Sequence, residues 1–333
     1  MCIYSKLVTN PKYRSNKKNG GIVPPLNDKR MKQIPAGCGK CIECRKQKGN
    51  GWMVRLMEDI KDYKNGHMVT LTFSDIELKK LEDDVQEESV ETLEGYALDN
   101  AAAVKGIRRF LELWRYYEGK TIRHWLVTEL GETKTERVHI HGIMYCHDPE
   151  KIRERWKYGH VWIGKFVNER TIKYVTKYLT KTDFKHKEYE PKICVSPGIG
   201  KGYIERIGKK KNRFNEEKTD VSYKARNGQT YSMPIYWRNE LWNEEEREKL
   251  WGYTLDKEER WIDGVKIDLK WDDAEELETK ARKQAQIKND RLGYGSDKKN
   301  WSQKRYENDI RNMKKLQRDR KIKAYNEGAG LLN

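Results

Sequence analysis

The sequence predicts an α+β fold. A central, mainly antiparallel β-sheet with helices on one face spans about residues 50–190, and a mostly helical, basic C-terminal region follows. Two observations carry this. Several short runs alternate apolar and polar side chains, as a strand with one buried face does. Between and after them, apolar residues recur three and four positions apart, as on one helix face. The strand-like runs are joined by short hairpin-type connections, which favour antiparallel pairing.

Residues 1–37 are polar and rich in Lys, Asn, Gly and Pro (Pro24, Pro25, Pro35), which predicts an extended arm with little regular structure. Residues 51–63 place Trp52, Leu56 and Ile60 at helical spacing. In HMVTLTF (67–73), Val69, Leu71 and Phe73 alternate with Met68, Thr70 and Thr72. Residues 76–118 read as helical, with an acidic loop before Ala101 and a stripe of Ile107, Phe110, Leu111 and Trp114. IRHWLVTEL (122–130) and RVHIHGIMY (137–145) read as strands joined by a GETKTE hairpin loop. HVWIGKF (160–166) is a further strand, and TIKYVTKYLTK (171–181) a helix beginning near Glu169. Beyond 185 the pattern weakens. SPGIGKGY (196–203) is turn-rich, a hairpin is expected around Asn227-Gly228, and helices over 239–251 and 272–325, the latter broken at Gly293 and Gly295. The expected organisation is an arm with a cysteine cluster (1–50), an α+β domain (51–190) and a basic, mostly helical region (191–333).

The 333 residues carry 69 Lys+Arg against 52 Asp+Glu, a formal charge of +17. No apolar stretch approaches the roughly 18–20 residues that span a bilayer, and the first residues lack the apolar middle of a secretory signal. Six cysteines, three of them at Cys38, Cys41 and Cys44, suit reduced thiols in a cytoplasm better than a disulfide framework. The charge is uneven: residues 1–67 hold 15 Lys/Arg and 5 acids, 74–99 hold 10 acids and 2 lysines, and 280–324 hold 16 Lys/Arg and 5 acids. Basic runs interleaved with Tyr294, Trp301 and Tyr306 suit a polyanion whose phosphates attract cations and whose bases stack on rings. A solvated, charge-laced helix is the alternative for such a run taken alone.

Two patterns carry chemistry. On a strand, His139 and His141 share a face while Ile140 points to the core, and two imidazoles so spaced can grip one divalent metal. If the two strands pair as a hairpin, Glu129 lies beside them, leaving open positions where a metal can polarise a phosphoryl group. The alternative is a pair of surface histidines; His124, His147, His160 and His186 are taken as ordinary. Tyr174 and Tyr178, four apart, share a helix face with Lys177 and Lys181. A free tyrosine is a poor nucleophile at neutral pH, but a nearby cation favours its phenolate, and a metal offsets charge in the transition state. The alternative is a packing face shared with Val175 and Leu179.

Taken together, VTLTFSD (69–75), RHWLVTELG (123–131), RVHIHG (137–142), WKYGHVWIG (156–164), YVTKYLTK (174–181), SPGIGKGY (196–203) and GCGKCIECRKQK (37–48) resemble the HUH rolling-circle endonucleases. More closely, the chain resembles the replication initiation proteins of microviruses, small single-stranded DNA bacteriophages. The resemblance covers about residues 1–205. It implies an HUH-type fold and an enzyme that nicks one strand of the duplex viral replication origin. A tyrosine attacks the scissile phosphate and stays joined to the 5′ end, and the freed 3′-OH primes rolling-circle synthesis. It further implies that His139 and His141, with Glu129 as third ligand, hold Mg²⁺ or Mn²⁺. Tyr174 and Tyr178 match the two-tyrosine pattern that lets cleavage and joining alternate; Lys177 matches the motif lysine, with Lys181 a second candidate. Expected partners are single-stranded and duplex origin DNA and host helicase and polymerase, in the cytoplasm of a bacterial host. The basic C-terminal third carries no transferable motif, and no Gly-x-x-x-x-Gly-Lys-Ser/Thr loop implies a helicase.

Cys38, Cys41 and Cys44, each separated from the next by two residues, suit a soft metal, most often structural Zn²⁺. The resemblance offers Cys2 as fourth ligand; His67 is a weaker choice, and an iron–sulfur cluster or plain thiols also fit the spacing. Metal binding there would pin the basic arm. Cys146 and Cys194 are taken as core residues. The competing readings are an HUH transposase or plasmid relaxase, or a non-catalytic, zinc-stapled nucleic-acid-binding or packaging protein.

Overall fold

The computed structural model describes residues 1–131, 136–182, 186 and 189–296. Its elements in chain order are β1 (Lys6–Thr9), β2 (Gln33–Ala36), α1 (Ile42–Asp62), β3 (Gly66–Leu71), α2 (Asp75–Glu88), α3 (Gly95–Glu118), β4 (Arg123–Leu130), β5 (Val138–Tyr145), α4 (Glu150–Arg155), β6 (Val161–Ile163), α5 (Glu169–Lys177), β7 (Ile193–Val195), α6 (Lys209–Lys211), β8 (Ser222–Lys224), β9 (Thr230–Ser232), α7 (Ile235–Leu241), α8 (Glu244–Asp256), β10 (Glu259–Ile262), β11 (Val265–Asp268) and α9 (Ala274–Arg291). They form two compact units: Lys46–Asn215 with Thr219–Asn243, and Met1–Arg45 with Glu216–Lys218 and the part that begins at Glu244. The fold class is α+β, as the sequence predicts. Residues 132–135 of the expected hairpin loop, and the expected helix from 297 onward with Trp301 and Tyr306, lie outside the described residues.

The larger unit is built on a five-stranded sheet in the order β6-β3-β5-β4-β7, every neighbouring pair antiparallel. On one face, Val69 and Leu71 of β3, Leu126 of β4 and Ile140 and Met144 of β5 form one core with Leu81 of α2 and Ile107, Phe110 and Trp114 of α3. Burial of each such side chain contributes about 1.5–3 kcal/mol. Helices cover the other face too, which corrects the expectation of helices on one face. There Trp52 of α1 lies 6.1 Å, ring to ring, from Trp125 of β4, and Tyr178 stacks on His141 of β5. The reason is visible in RHWLVTEL, which is apolar on both sides at Trp125 and Val127 as well as Leu126. A sheet apolar on both faces must be covered on both.

Gly142 sits in the middle strand, where a Cβ would collide with the Trp125 carbonyl and the Leu126 Cα. Gly200, at φ +74°, brings its backbone against Arg55 and donates to Asp59 Oδ1 at 2.7 Å. Asp59 is fully buried and also receives Arg123 in a two-pronged ion pair. The SPGIGKGY loop is thereby fastened to α1 and β4. Strand β7 was not expected. It is held by the Thr128 hydroxyl, which accepts from the Lys192 amide (2.9 Å) and the Tyr189 hydroxyl (2.8 Å) and donates to Asn100 (2.6 Å).

In the smaller unit, the arm expected to be irregular pairs β1 with β2, with short 3₁₀ turns at Pro11–Tyr13, Lys17–Asn19 and Lys29–Lys32. The partners are distant in sequence, so no local pattern announced them. The β10–β11 hairpin was also missed, although Asp263-Gly264, both at positive φ, is a strong two-residue hairpin signal. The hairpin around Asn227-Gly228 is present as β8–β9.

Substituting Gly142 by alanine should destabilise the chain by about 1–3 kcal/mol through overpacking between β4 and β5. Urea unfolding checks this; a stability unchanged within error would mean the strands can part without cost.

Candidate active site

Register places the site. Glu129 is the Cα partner of His139 across the β4–β5 ladder, and His141 pairs with Thr70 on the other side through β3. Strand alternation then puts Glu129, His139, His141 and Thr70 on the face of α1 and α5, away from the α2–α3 core. Oε2 of Glu129 lies 3.2 Å from His139 Nε2 and 3.0 Å from His141 Nε2, while Oε1 accepts from Lys181 Nζ at 3.0 Å. Burial works against a charged Glu129, but hydrogen bonds from His139, His141 and Lys181 outweigh it and hold the carboxyl at about 2.

The donor inventory shows that these residues fit a cation. His139 Nδ1 faces the Arg137 carbonyl at 3.3 Å, which turns its Nε2 toward Glu129. Two imidazole nitrogens and a carboxylate oxygen converging on one point are the donor types a divalent ion takes. His141 Nδ1 is held at 3.0 Å by the Thr70 hydroxyl, which likewise turns Nε2 toward Glu129. Two ligands about 2.1 Å from an octahedral ion and at right angles are about 3.0 Å apart, close to the spacing seen. Glu129, His139 and His141 can thus hold a metal ion.

Helix α5 brings the tyrosines. Asn168 caps its start, accepting from the amides of Arg170 and Thr171. Ile172, Val175 and Thr176 are buried, which leaves Arg170, Lys173, Tyr174 and Lys177 on the exposed side at helical spacing. The helix ends at Lys177 with Tyr178 as its cap residue, and a turn carries the chain on to Lys181. The Tyr178 ring lies flat on His141, centroids 4.3 Å apart and planes 9° from parallel. Its hydroxyl donates to the Tyr174 hydroxyl at 2.7 Å. Tyr178 is buried (9%), whereas Tyr174 is half exposed (49%) and lines a shallow cavity with Thr70, Trp162 and Arg170.

The structure therefore gathers Glu129, His139, His141, Tyr174, Tyr178 and Lys181. Lys177 is exposed at the helix end, and it is Lys181 that reaches the carboxylate. Thr70 and the Arg137 carbonyl, which orient the imidazoles, were missed. Alternation alone puts Thr70 on the polar face of its strand, but only register shows what it touches. In the smaller unit, Cys2, Cys38, Cys41 and Cys44 come together as a second group that can hold a metal ion. His67 instead faces the Gly164 carbonyl (3.3 Å), and Cys146 belongs to the α2–α3 core. His124 is buried between the Ile122 carbonyl and Ser196, and burial pushes its pKa down.

Residues 66–183 match the family model of the replication-associated protein ORF2. The match runs from β3 past Lys181, so it contains every residue of this site, and it points to a replication-associated protein with a role in viral replication. No curated protein matches the chain. No solved structure matches it either. No helix among the described residues is long and apolar enough to cross a membrane.

Titration of the chain with Mn²⁺, followed by calorimetry or by loss of the free-ion resonance signal, should show a site that His139→Ala or His141→Ala removes. Thr70→Val should weaken it by roughly 10–100-fold, because the Nδ1 partner that aims the ring is gone. Unchanged affinity in the histidine variants would place the metal elsewhere.

Proposed function

We propose that this protein is an HUH-type, metal-dependent endonuclease that nicks and rejoins one strand of viral origin DNA for rolling-circle replication, as in the microviruses. The observation that carries this reading is the contact between the two constellations: the Tyr178 ring on His141, with the Tyr174 hydroxyl one hydrogen bond further out. Mg²⁺ or Mn²⁺ held by Glu129, His139 and His141 would act as a Lewis acid on a phosphate oxygen. The residues of the chain do the rest. Tyr174 is the first nucleophile, because its side chain is half exposed while the Tyr178 ring is packed. Its oxygen gives up its proton to water and forms the new bond to phosphorus, the bond to the 3′ oxygen breaks, and that oxygen takes a proton back from water and leaves as a 3′-OH, so the proton count is unchanged. The 5′ phosphate stays on the tyrosine, and attack by a 3′-OH reverses the step. Tyr178, hydrogen-bonded to Tyr174, is placed for the second of two alternating transfers. Lys181 keeps Glu129 ionised and oriented. Arg170, Lys173 and Lys177 surround Tyr174 on the exposed helix face, where phosphates of a single strand can lie.

With a single-stranded origin oligonucleotide and Mg²⁺ or Mn²⁺, the chain should form a protein–DNA adduct that survives boiling in detergent. Tyr174→Phe should reduce the first adduct by roughly 10³-fold or more, while Tyr178→Phe keeps it and impairs the second transfer. An adduct that persists in the double variant would remove the tyrosines from the chemistry. Absence of any adduct from the native chain with every metal would leave a non-catalytic nucleic-acid-binding protein.

If α5 tracks the strand, replacing Arg170, Lys173 and Lys177 by alanine should lower the slope of log affinity against log salt by about 2, at roughly 0.7 per phosphate contact. An unchanged slope would move the DNA off this helix face.

A further inference from the structure

The proposed nicking chemistry makes no use of the cysteine group. Cys2 precedes β1, Cys38 and Cys41 lie in the turn after β2, and Cys44 sits in the first turn of α1. All four sulfurs are within 4.8 Å of one another, and all six cysteines of the chain are free thiols. The backbone aims donors at them: the amides of Tyr4 and Cys38 point to Cys2 Sγ at 3.4 and 3.2 Å, and the amide of Cys41 to Cys38 Sγ at 3.3 Å. Gly39, at φ +76°, lets the chain turn between two of the cysteines, and a Cβ on Gly37 would press on Cys44 Sγ at 3.1 Å.

The spacing selects the occupant. Four sulfurs bound tetrahedrally at about 2.3 Å lie about 3.8 Å apart. The Cys2 and Cys41 sulfurs are 3.8 Å apart. A disulfide needs about 2.05 Å between sulfurs. A four-iron cluster interposes a cube of iron and sulfide between its cysteines and spreads them further than this group is spread. We propose that Cys2, Cys38, Cys41 and Cys44 bind one zinc ion as a closed, structural tetrathiolate site that fastens the N-terminal segment and the start of α1 to α9. Zn²⁺ replaces the thiol protons, which are released to water, and no redox change is involved.

The coupling to α9 rests on separate contacts. Arg282, fully buried, donates to the Cys2 carbonyl at 3.3 Å, and Gln286 donates to the Ile3 carbonyl at 3.0 Å. Asn289, also fully buried, accepts from the Ile42 amide at 2.9 Å. Each of these α9 side chains thus binds a backbone group at or next to a cysteine. The core they share, with Ile3, Ile42, Ile262, Ile267 and Ala285, is small, and small cores are commonly completed by a metal or disulfides.

Elemental analysis of the full chain purified without added metal should give one zinc per chain. Cys2→Ser and Cys41→Ser should each lose it, while Cys194→Ala retains it. In case the serine variants fail to fold, Co²⁺ exchanged into the native chain should show the intense visible absorption of a tetrahedral thiolate site. Hydrogen exchange of the α9 amides should accelerate at least tenfold after zinc is stripped. Iron in place of zinc, a metal-free native chain with six reactive thiols, a disulfide among the four, or cobalt without the thiolate spectrum would each overturn the assignment. Unchanged exchange in α9 would overturn the coupling. None of these readouts involves DNA cleavage, so they stand or fall apart from the nicking activity.

Discussion

The pairing of β4 with β5 is the constraint on which the site depends. Because that ladder sets Glu129 opposite His139, one carboxylate oxygen faces two imidazole nitrogens at 3.2 and 3.0 Å. A slip of one residue would turn either the carboxylate or the histidines toward the α2–α3 core. The register is strongly specified because both faces of these strands are buried, and because Gly142 lets β5 approach the β4 backbone where any side chain would collide. The glycine beside the histidines therefore serves packing, and through packing it serves the ligands.

Helix α5 is the second positioned part, and its sequence divides its work between two sides. Ile172 and Val175 hold it to the sheet, and Asn168 fixes where it starts. It stops as an α-helix at Lys177, so Tyr178 closes over His141 and the following turn delivers Lys181 to the free oxygen of Glu129. The two tyrosines consequently differ although they are four apart: one is buried under a stacked imidazole, and the other is open to a cavity. On the proposed reading, that difference gives the pair an order of use that spacing alone does not contain.

Much of this was legible in the sequence. The strand of Val69 alternates apolar and polar side chains, as do Val138 to Ile140 in the strand of the histidine pair, the run around Trp125 reads as a strand, and the tyrosine helix begins where its expected start, near Glu169, puts it. The metal ligands could be proposed because two histidines on alternate positions must share a face. Their orienting groups, Thr70 and the Arg137 carbonyl, could not, since a strand's neighbours are set by register and not by local pattern. Strand β7 escaped because three residues are too few to show a period, and its anchors, Asn100 and Thr128, are remote in sequence. The covering of both sheet faces was readable in RHWLVTEL and was overlooked. In the smaller unit, three cysteines announced a ligand set, but the fourth thiol arrives from the other end of the arm through the β1–β2 pairing.

The central claim is that one divalent cation sits among Glu129, His139 and His141 beside the tyrosine helix. The most direct measurement is an anomalous difference map from a crystal of the chain grown with Mn²⁺. The account predicts a single strong peak within bonding distance of Glu129 Oε2 and of both Nε2 atoms, on the side of the sheet that carries Tyr174 and Tyr178. A peak elsewhere, or histidine rings turned from the carboxylate with the tyrosines on the opposite face, would contradict it.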